Sequence, residues 1–267
     1  MAGNRLTFWE YASESFQSKG DPYALKRRRV AFQTAPYRAG LRSGRLAWGY
    51  EHDYRAFNFP DTLSPSVIGN GHVHRTGPVL LWESDDLSIR MTPALSVSSN
   101  VLREQRDLAA RDLDPSFSVW RSFPAPGEGT WHWGIEGSSR TGTYRIFPLL
   151  AWESRQGISH GLVLGFPDSR LHWRIFQSLC FQIDAGPDGG LWQVRDREFN
   201  QRTRLMAEEP RVMTSLEWRP GSQVRIGLFV ESRFARKWKV GTRDGTSHVL
   251  DPPAQHVGGI RLSFRWN

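Results

Sequence analysis

The stretch His256-Val257-Gly258-Gly259-Ile260-Arg261-Leu262-Ser263-Phe264-Arg265-Trp266 decides the reading of this chain. Side chains two apart share a face of a β-strand. Read as one strand, it sets Ile260, Leu262, Phe264 and Trp266 on an apolar wall and Arg261, Ser263 and Arg265 on a cationic one. If the apolar wall meets lipid, the arginines meet a wet interior.

The same period of two runs through the chain. Leu87, Ile89, Met91, Leu95 and Val97 alternate with Ser88, Arg90, Thr92, Ala94 and Ser96, with Pro93 on the apolar side. Leu171, Trp173, Ile175, Leu179, Phe181 and Ile183 alternate with His172, Arg174, Phe176, Ser178, Cys180 and Gln182. Val224, Ile226, Leu228 and Val230 alternate with Arg225, Gly227, Phe229 and Glu231. Shorter matches occur at Leu46/Trp48/Tyr50, Trp131/Trp133/Ile135, Tyr144/Ile146/Leu150/Trp152 and Val212/Leu216/Trp218. No helical stripe of comparable length competes. The exception is the polar stretch Asn100–Asp112, which could form a short loop helix.

Turn signals separate these runs: Ser84-Asp85-Asp86, Pro126-Gly127-Glu128-Gly129, Arg155-Gln156-Gly157, Gly186-Pro187-Asp188-Gly189 and Pro220-Gly221-Ser222. Long connections fall near residues 60–73, 99–114, 199–210 and 241–255. Counted back from the C-terminus, long and short connections alternate with few violations, as in an outer-membrane barrel with short turns on one rim and longer loops on the other. Thirteen strands follow residue 27, and a weak strand at 5–13 makes fourteen. The expectation is an all-β fold: one antiparallel up-and-down transmembrane β-barrel spanning residues 1–267, of about fourteen strands. Twelve is the alternative, if the N-terminal strand and a weak strand at 191–198 are not real.

Composition is compatible with this. The 267 residues suit one barrel. No run reaches the roughly 20 apolar residues of a membrane helix. A barrel needs none, since only alternate residues face lipid. The 12 Trp, 15 Phe and 6 Tyr are a heavy aromatic load, of the kind barrels place in girdles. Trp82 and Trp152, in the near-copies Leu81-Trp82-Glu83-Ser84 and Ala151-Trp152-Glu153-Ser154, end strands at short turns. With Trp218 and Trp266 they are the candidate girdle. The net charge of +8 admits nucleic acid, an anionic membrane or an anionic solute. Lys26-Arg27-Arg28-Arg29 is the one dense basic run, expected to be a solvated loop or strand edge, and no nucleic-acid partner is expected. The single Cys180 excludes an intrachain disulfide. Met1-Ala2-Gly3-Asn4 opens no secretory signal, so the outer-membrane reading supposes a mature chain with an added Met.

The phrase Met91-Thr92-Pro93-Ala94-Leu95-Ser96-Val97-Ser98-Ser99-Asn100, the strand before it and the terminal strand together resemble uncharacterised outer-membrane barrels of Gram-negative bacteria. The domain family of unknown function DUF6268 is the nearest likeness, diffuse over residues 27–266. It implies a barrel and no assigned activity. Such proteins usually finish on an aromatic residue, whereas here Asn267 follows Trp266.

Arg facing lipid near the midplane costs about 2–4 kcal/mol. Arg90, Arg174, Arg225, Arg261 and Arg265 are therefore expected inside, with Glu231, Asp184 and His172. Rings of Arg favour anions in a water-filled pore. A passive, porin-like pore for small anionic solutes is the leading expectation, with outer-membrane lipid and the barrel-assembly machinery as partners and no cofactor. The alternatives are a barrel sealed by paired Arg and Glu/Asp, binding a partner through its loops, and a soluble β-sandwich binding a ligand. No enzyme is expected. Ser159-His160 and Ser98-Ser99-Asn100 invite a serine hydrolase, but the His-x-Ser-Asn-Gly phrase of barrel phospholipases is absent. His72-Val73-His74 has no acidic or cysteine partner nearby, so no metal site is expected. Gly69–Gly71 lacks the Lys-Ser/Thr pair of a phosphate loop.

Overall fold

The computed structural model describes residues 4–12, 14–18, 21–34, 37–41, 44–58, 71–103, 108–125, 129–154, 160–195, 202–241 and 247–266. In chain order its strands begin with β1 (Asn4–Tyr11), β2 (Glu14–Ser18), β3 (Asp21–Gln33), β4 (Tyr37–Leu41), β5 (Gly44–Asn58), β6 (His72–Glu83) and β7 (Leu87–Ser98). They continue with β8 (Leu113–Ala125), β9 (Gly129–Ser138), β10 (Arg145–Ser154), β11 (His160–Phe166), β12 (Ser169–Phe176) and β13 (Leu179–Pro187). The last are β14 (Gly190–Arg195), β15 (Arg202–Glu208), β16 (Pro210–Trp218), β17 (Val224–Arg233), β18 (Lys237–Gly241), β19 (Ser247–Leu250) and β20 (Gln255–Trp266).

Fourteen strands close an antiparallel barrel in the order β1-β3-β5-β6-β7-β8-β9-β10-β11-β12-β13-β16-β17-β20. The terminal strand β20 pairs back onto β1 from Asn4↔Trp266 to Tyr11↔Gly259, so the wall has no edge. The weak N-terminal strand is thus real, and twelve is not the count.

Sidedness follows the alternation. Between β17 and β20, Leu228 faces Ile260 and Ile226 faces Leu262, while Arg225 and Ser263 pair on the other side. Leu228 and Ile260 are 61% and 49% exposed, against 6% and 3% for Arg261 and Ser263. The aliphatic wall faces out, which overturns the soluble sandwich: a sandwich would bury that wall between its sheets.

One rim carries the free ends of β1 and β20 and short connections such as 84–86, 177–178 and 219–223. The other carries 99–112, 188–209 and 234–254, with short links at 139–144 and 167–168. The turns at 126–128 and 155–159 and the connection 59–70 lie outside the described residues, as do Ser159, Gly69, Asn267 and the Lys26 side chain. In the polar stretch, a short helix α1 (Ser99–Arg103) and a 3-10 turn at Ala110–Asp112 form, with 104–107 outside the described residues.

Two expectations are corrected at the loop rim. The strand expected at 191–198 forms as β14 but leaves the wall. The connections expected at 199–210 and 241–255 are also built into strands: β14, β15, β18 and β19 pair side by side into a small sheet. Its residues Trp192, Val194, Leu205, Ala207, Trp238 and Val240 pack onto Phe57 and Val73 of the wall. Phe57 and Trp238 meet edge to face at 4.8 Å. β14 reaches across to β7, pairing at Gln193↔Val97 beyond the last partner of β8. The chain enters this sheet through Gly189, where a Cβ would lie 1.9 Å from the Ala207 carbonyl oxygen. No other residue fits so close to a backbone.

The basic tetrad is the second correction. It lies within β3, not in a loop or on an edge. Arg27 is buried, donating to both Glu209 oxygens at 2.6 and 2.8 Å, because Glu209 needs cations where the inserted sheet meets the wall. Arg29 faces Asp53 and Asp188, whereas Arg28 alternates outward to Glu10.

Candidate functional site

Inward side chains line three adjoining cavities along the lumen. At the turn rim, a mouth of about 560 Å³ is bounded by Arg174, Arg219, Arg225 and Arg265 with the Pro220-Gly221-Ser222 turn, and no carboxylate lines it among the described residues. It shares Arg219 and Arg225 with a chamber of about 830 Å³ that reaches Arg5, Arg170, His172, Glu217 and Arg261. Beyond Arg29, Arg140 and Arg211 lies an inner cavity of about 440 Å³ whose far wall includes Trp192 of the inserted sheet.

Charge balance changes along this path. In the inner cavity, cations and carboxylates interlock: Glu51 accepts from Arg75 at 2.8 Å and from Arg90 at 2.7 Å. Asp114 accepts from Arg75 at 3.2 Å and from Ser139 at 2.7 Å. Asp188, just after β13, accepts from Arg29 and Arg55 at 3.1 and 3.2 Å, with Arg211 at 3.8 Å. Burial alone would raise the Asp188 carboxyl, but the Arg211, Arg55, Arg29 and Arg27 charges outweigh it and hold it below the usual carboxylate range.

Toward the turn rim the balance tips. Arg5 and Arg265 are direct cross-strand partners, and like charges directly opposite repel. Arg261 stands on β20 four residues before Arg265, and Arg225 on the adjoining β17. Glu217 serves Arg219 at 2.7 Å, Arg261 at 3.1 Å and Arg225 at 3.5 Å. Among the described residues, the other two carboxylates lining the chamber are engaged elsewhere, Asp184 by Arg170 at 2.6 Å and Asp168 by Arg140.

Arg90, Arg174, Arg225, Arg261 and Arg265 thus all lie on inward positions, but not in one ring. Arg90 belongs to the inner cavity with Glu51; the other four gather near the turn rim. Glu231 is buried against Arg211 (2.8 Å) and Arg233, away from the chamber. Trp82, Trp152, Trp218 and Trp266 fall at or within two residues of the ends of β6, β10, β16 and β20, all on the turn rim. Arg5 and Arg219 belong with the cluster and were not picked out from sequence. The alternation of Arg5 with Leu6 and Phe8, once β1 is accepted, would have found the first.

His72 and His74 do not converge on one point: His72 meets Tyr54, and His74 meets His52 and Ser99. No group of three or more potential metal-ligating side chains forms among the described residues.

A closed barrel with its apolar wall outward and a charged lumen is a transmembrane β-barrel. No family model and no curated protein matches the chain. The likeness to DUF6268 therefore gains no support from a family model. Among solved structures, it is similar over 98% of its length to all of the NanC porin, at 10% identity and a TM-score of 0.42. Its whole length is similar to all of the β domain of the Bordetella autotransporter BrkA, at 11% identity and a TM-score of 0.40. An outer membrane channel from Pseudomonas putida is similar at 8% identity, with 100% of this chain and 96% of that one covered and a TM-score of 0.46. Likenesses this distant say nothing of what this chain does, and the barrel rests on its own strand pairing.

Proposed function

We propose that the chain is a bacterial outer-membrane barrel that admits small anionic solutes through the turn rim into the arginine chamber. The observation that carries this is the cluster of Arg5, Arg225, Arg261 and Arg265 on three neighbouring strands, served by Glu217. Such a cluster is self-repelling, and an anion in the chamber relieves it. Outer-membrane barrels keep short turns on the periplasmic side, so the mouth would open to the periplasm and the inserted sheet would stand at the outer end. Lipid and the barrel-assembly machinery are the partners this reading requires.

The inserted sheet favours a second reading, a barrel sealed at its outer end that binds a partner there. Planar-bilayer recording separates the two. The channel reading expects discrete conductance steps with a reversal potential favouring anions, weakened when Arg225 and Arg265 are both changed to Gln. Folded barrel that inserts without conducting sinks the channel and leaves the sealed barrel.

A further inference from the structure

The outer wall carries a second cluster that the lumen does not use. Glu51, Asp53 and Arg55 of β5 and Arg75 of β6 line the inner cavity, so the alternating residues Tyr50, His52, Tyr54, His74 and Thr76 face outward. His74 is the cross-strand partner of Tyr54 on one side and of Val97 on the other. Two residues past Val97, at the start of α1, Ser99 Oγ lies 2.8 Å from His74 Nε2. The other imidazole nitrogen, His74 Nδ1, lies 3.4 Å from His52 Nε2, and His52 Nδ1 lies 3.1 Å from Thr76 Oγ1.

One proton assignment satisfies this chain throughout. Ser99 donates its hydroxyl proton to His74 Nε2, His74 Nδ1–H donates to His52 Nε2, and His52 Nδ1–H donates to Thr76. His74 then offers a lone pair to the Ser99 hydroxyl while its far nitrogen is held by a third side chain. A nucleophile, a base within hydrogen-bond reach and a group that orients the base are the parts of an activated serine. Ser99 and His74 are only half-buried, so a substrate can reach them. Lower on the same outward faces, Leu80 and Met91 are exposed and offer an apolar track for an acyl chain.

We propose that Ser99 and His74 hydrolyse carboxylic esters of amphiphilic lipids at the loop rim, with His52 as the positioning residue. Ser99 Oγ attacks the ester carbonyl carbon as His74 Nε2 takes its proton. The tetrahedral adduct collapses, the carbon–oxygen bond to the alcohol breaks, and His74 protonates the departing alcohol. Water then attacks the acyl-serine, giving its proton to His74. The acyl–Oγ bond breaks, the carboxylic acid leaves, and His74 returns the proton to Ser99.

The test uses the full chain refolded in detergent and in phospholipid vesicles, with a fluorophosphonate as the serine probe and release of free fatty acid as the turnover readout. Wild type labels at Ser99 and releases fatty acid. Ser99→Ala loses both signals, and His74→Asn loses turnover by roughly 10²–10⁴-fold, the usual worth of a positioned general base. Ser98→Ala, on the inward side, keeps both. His52→Gln shifts the pH profile of turnover, which a merely structural histidine would not do. Heat-modifiable migration on a denaturing gel verifies that each variant is folded. A folded wild-type barrel that neither labels nor turns over overturns the proposal, as does activity that survives Ser99→Ala.

Discussion

Asp188 is one of the residues through which the inserted sheet is tied to the barrel wall. It stands at the point where the chain leaves β13, yet its carboxylate reaches Arg29 of β3 and Arg55 of β5 on the far side of the lumen. Its carboxyl lies below the usual range, so the sign of its pH dependence is fixed. Its stabilisation is complete above the ordinary carboxylate value of about 4 and is lost as pH falls through the lower folded value. Between pH 5 and 8, the stability of the refolded barrel should therefore be insensitive to this group, with weakening confined to strong acid. Asp188→Asn should cost about 2 kcal/mol at neutral pH, because it removes charge-assisted hydrogen bonds and leaves Arg29 and Arg55 to share Asp53. Equilibrium urea unfolding in detergent across pH measures both; a variant as stable as wild type at pH 7 would contradict the account. At this scale the inward arginines were legible, since alternation alone turns Arg90 and Arg261 from lipid. Their partners were not: Arg27 and Glu209 are 182 residues apart, and no local pattern joins them.

Elements were legible in proportion to their length and to the demands of lipid. A wall strand such as β20 runs for twelve residues, and its outward positions from Ile260 to Trp266 are all apolar. The inserted strands β14, β18 and β19 have only six, five and four residues, and their flanking Gly and Asp read as turn chemistry. Trp192 with Val194 and Trp238 with Val240 do alternate, but a single pair is too short a signal to separate from a loop. The outer-wall cluster was hidden differently: His74 and Ser99 belong to segments whose kinship appears only with the register of β6 against β7. For the inserted sheet, Trp238 is the decisive residue. It is 1% exposed, stacks edge-on against Phe57 and donates its indole N–H to Glu209 at 2.9 Å. Trp238→Ala should destabilise the sheet by about 3–5 kcal/mol, the usual cost of deleting a buried aromatic. The barrel should remain heat-modifiable while limited proteolysis begins to cut within 188–209 and 234–254. Replacing residues 190–207 by a short Gly-Ser link should enlarge single-channel conductance, as expected if the sheet obstructs the outer end. Unchanged conductance would mean that solutes pass beside the sheet and that it does not gate the lumen.

The whole molecule is organised by one inversion: apolar residues outside, charges within. That inversion was legible from the last strand because lipid and water impose opposite demands on residues only one position apart. Closure then follows, since a sheet in lipid cannot leave an unpaired edge. The inversion also makes the membrane assignment testable by a single charge. Leu228 is 61% exposed, faces Ile260 across the β17–β20 pair and sits near the middle of its strand. Leu228→Arg should lower the refolding free energy in phospholipid vesicles by about 2–4 kcal/mol, the depth-dependent cost of an arginine on the lipid face. Gln182→Lys places a charge on the lumen side of β13, where it lines the chamber beside Asp184, and should leave refolding nearly unchanged. The contrast between the two variants is the measurement, because both add one positive charge and only the face differs. If both are tolerated equally, water covers the outer wall and the apolar band does not meet lipid. If only Leu228→Arg is penalised, the outer wall is a lipid-facing surface and the arginines are held in the lumen.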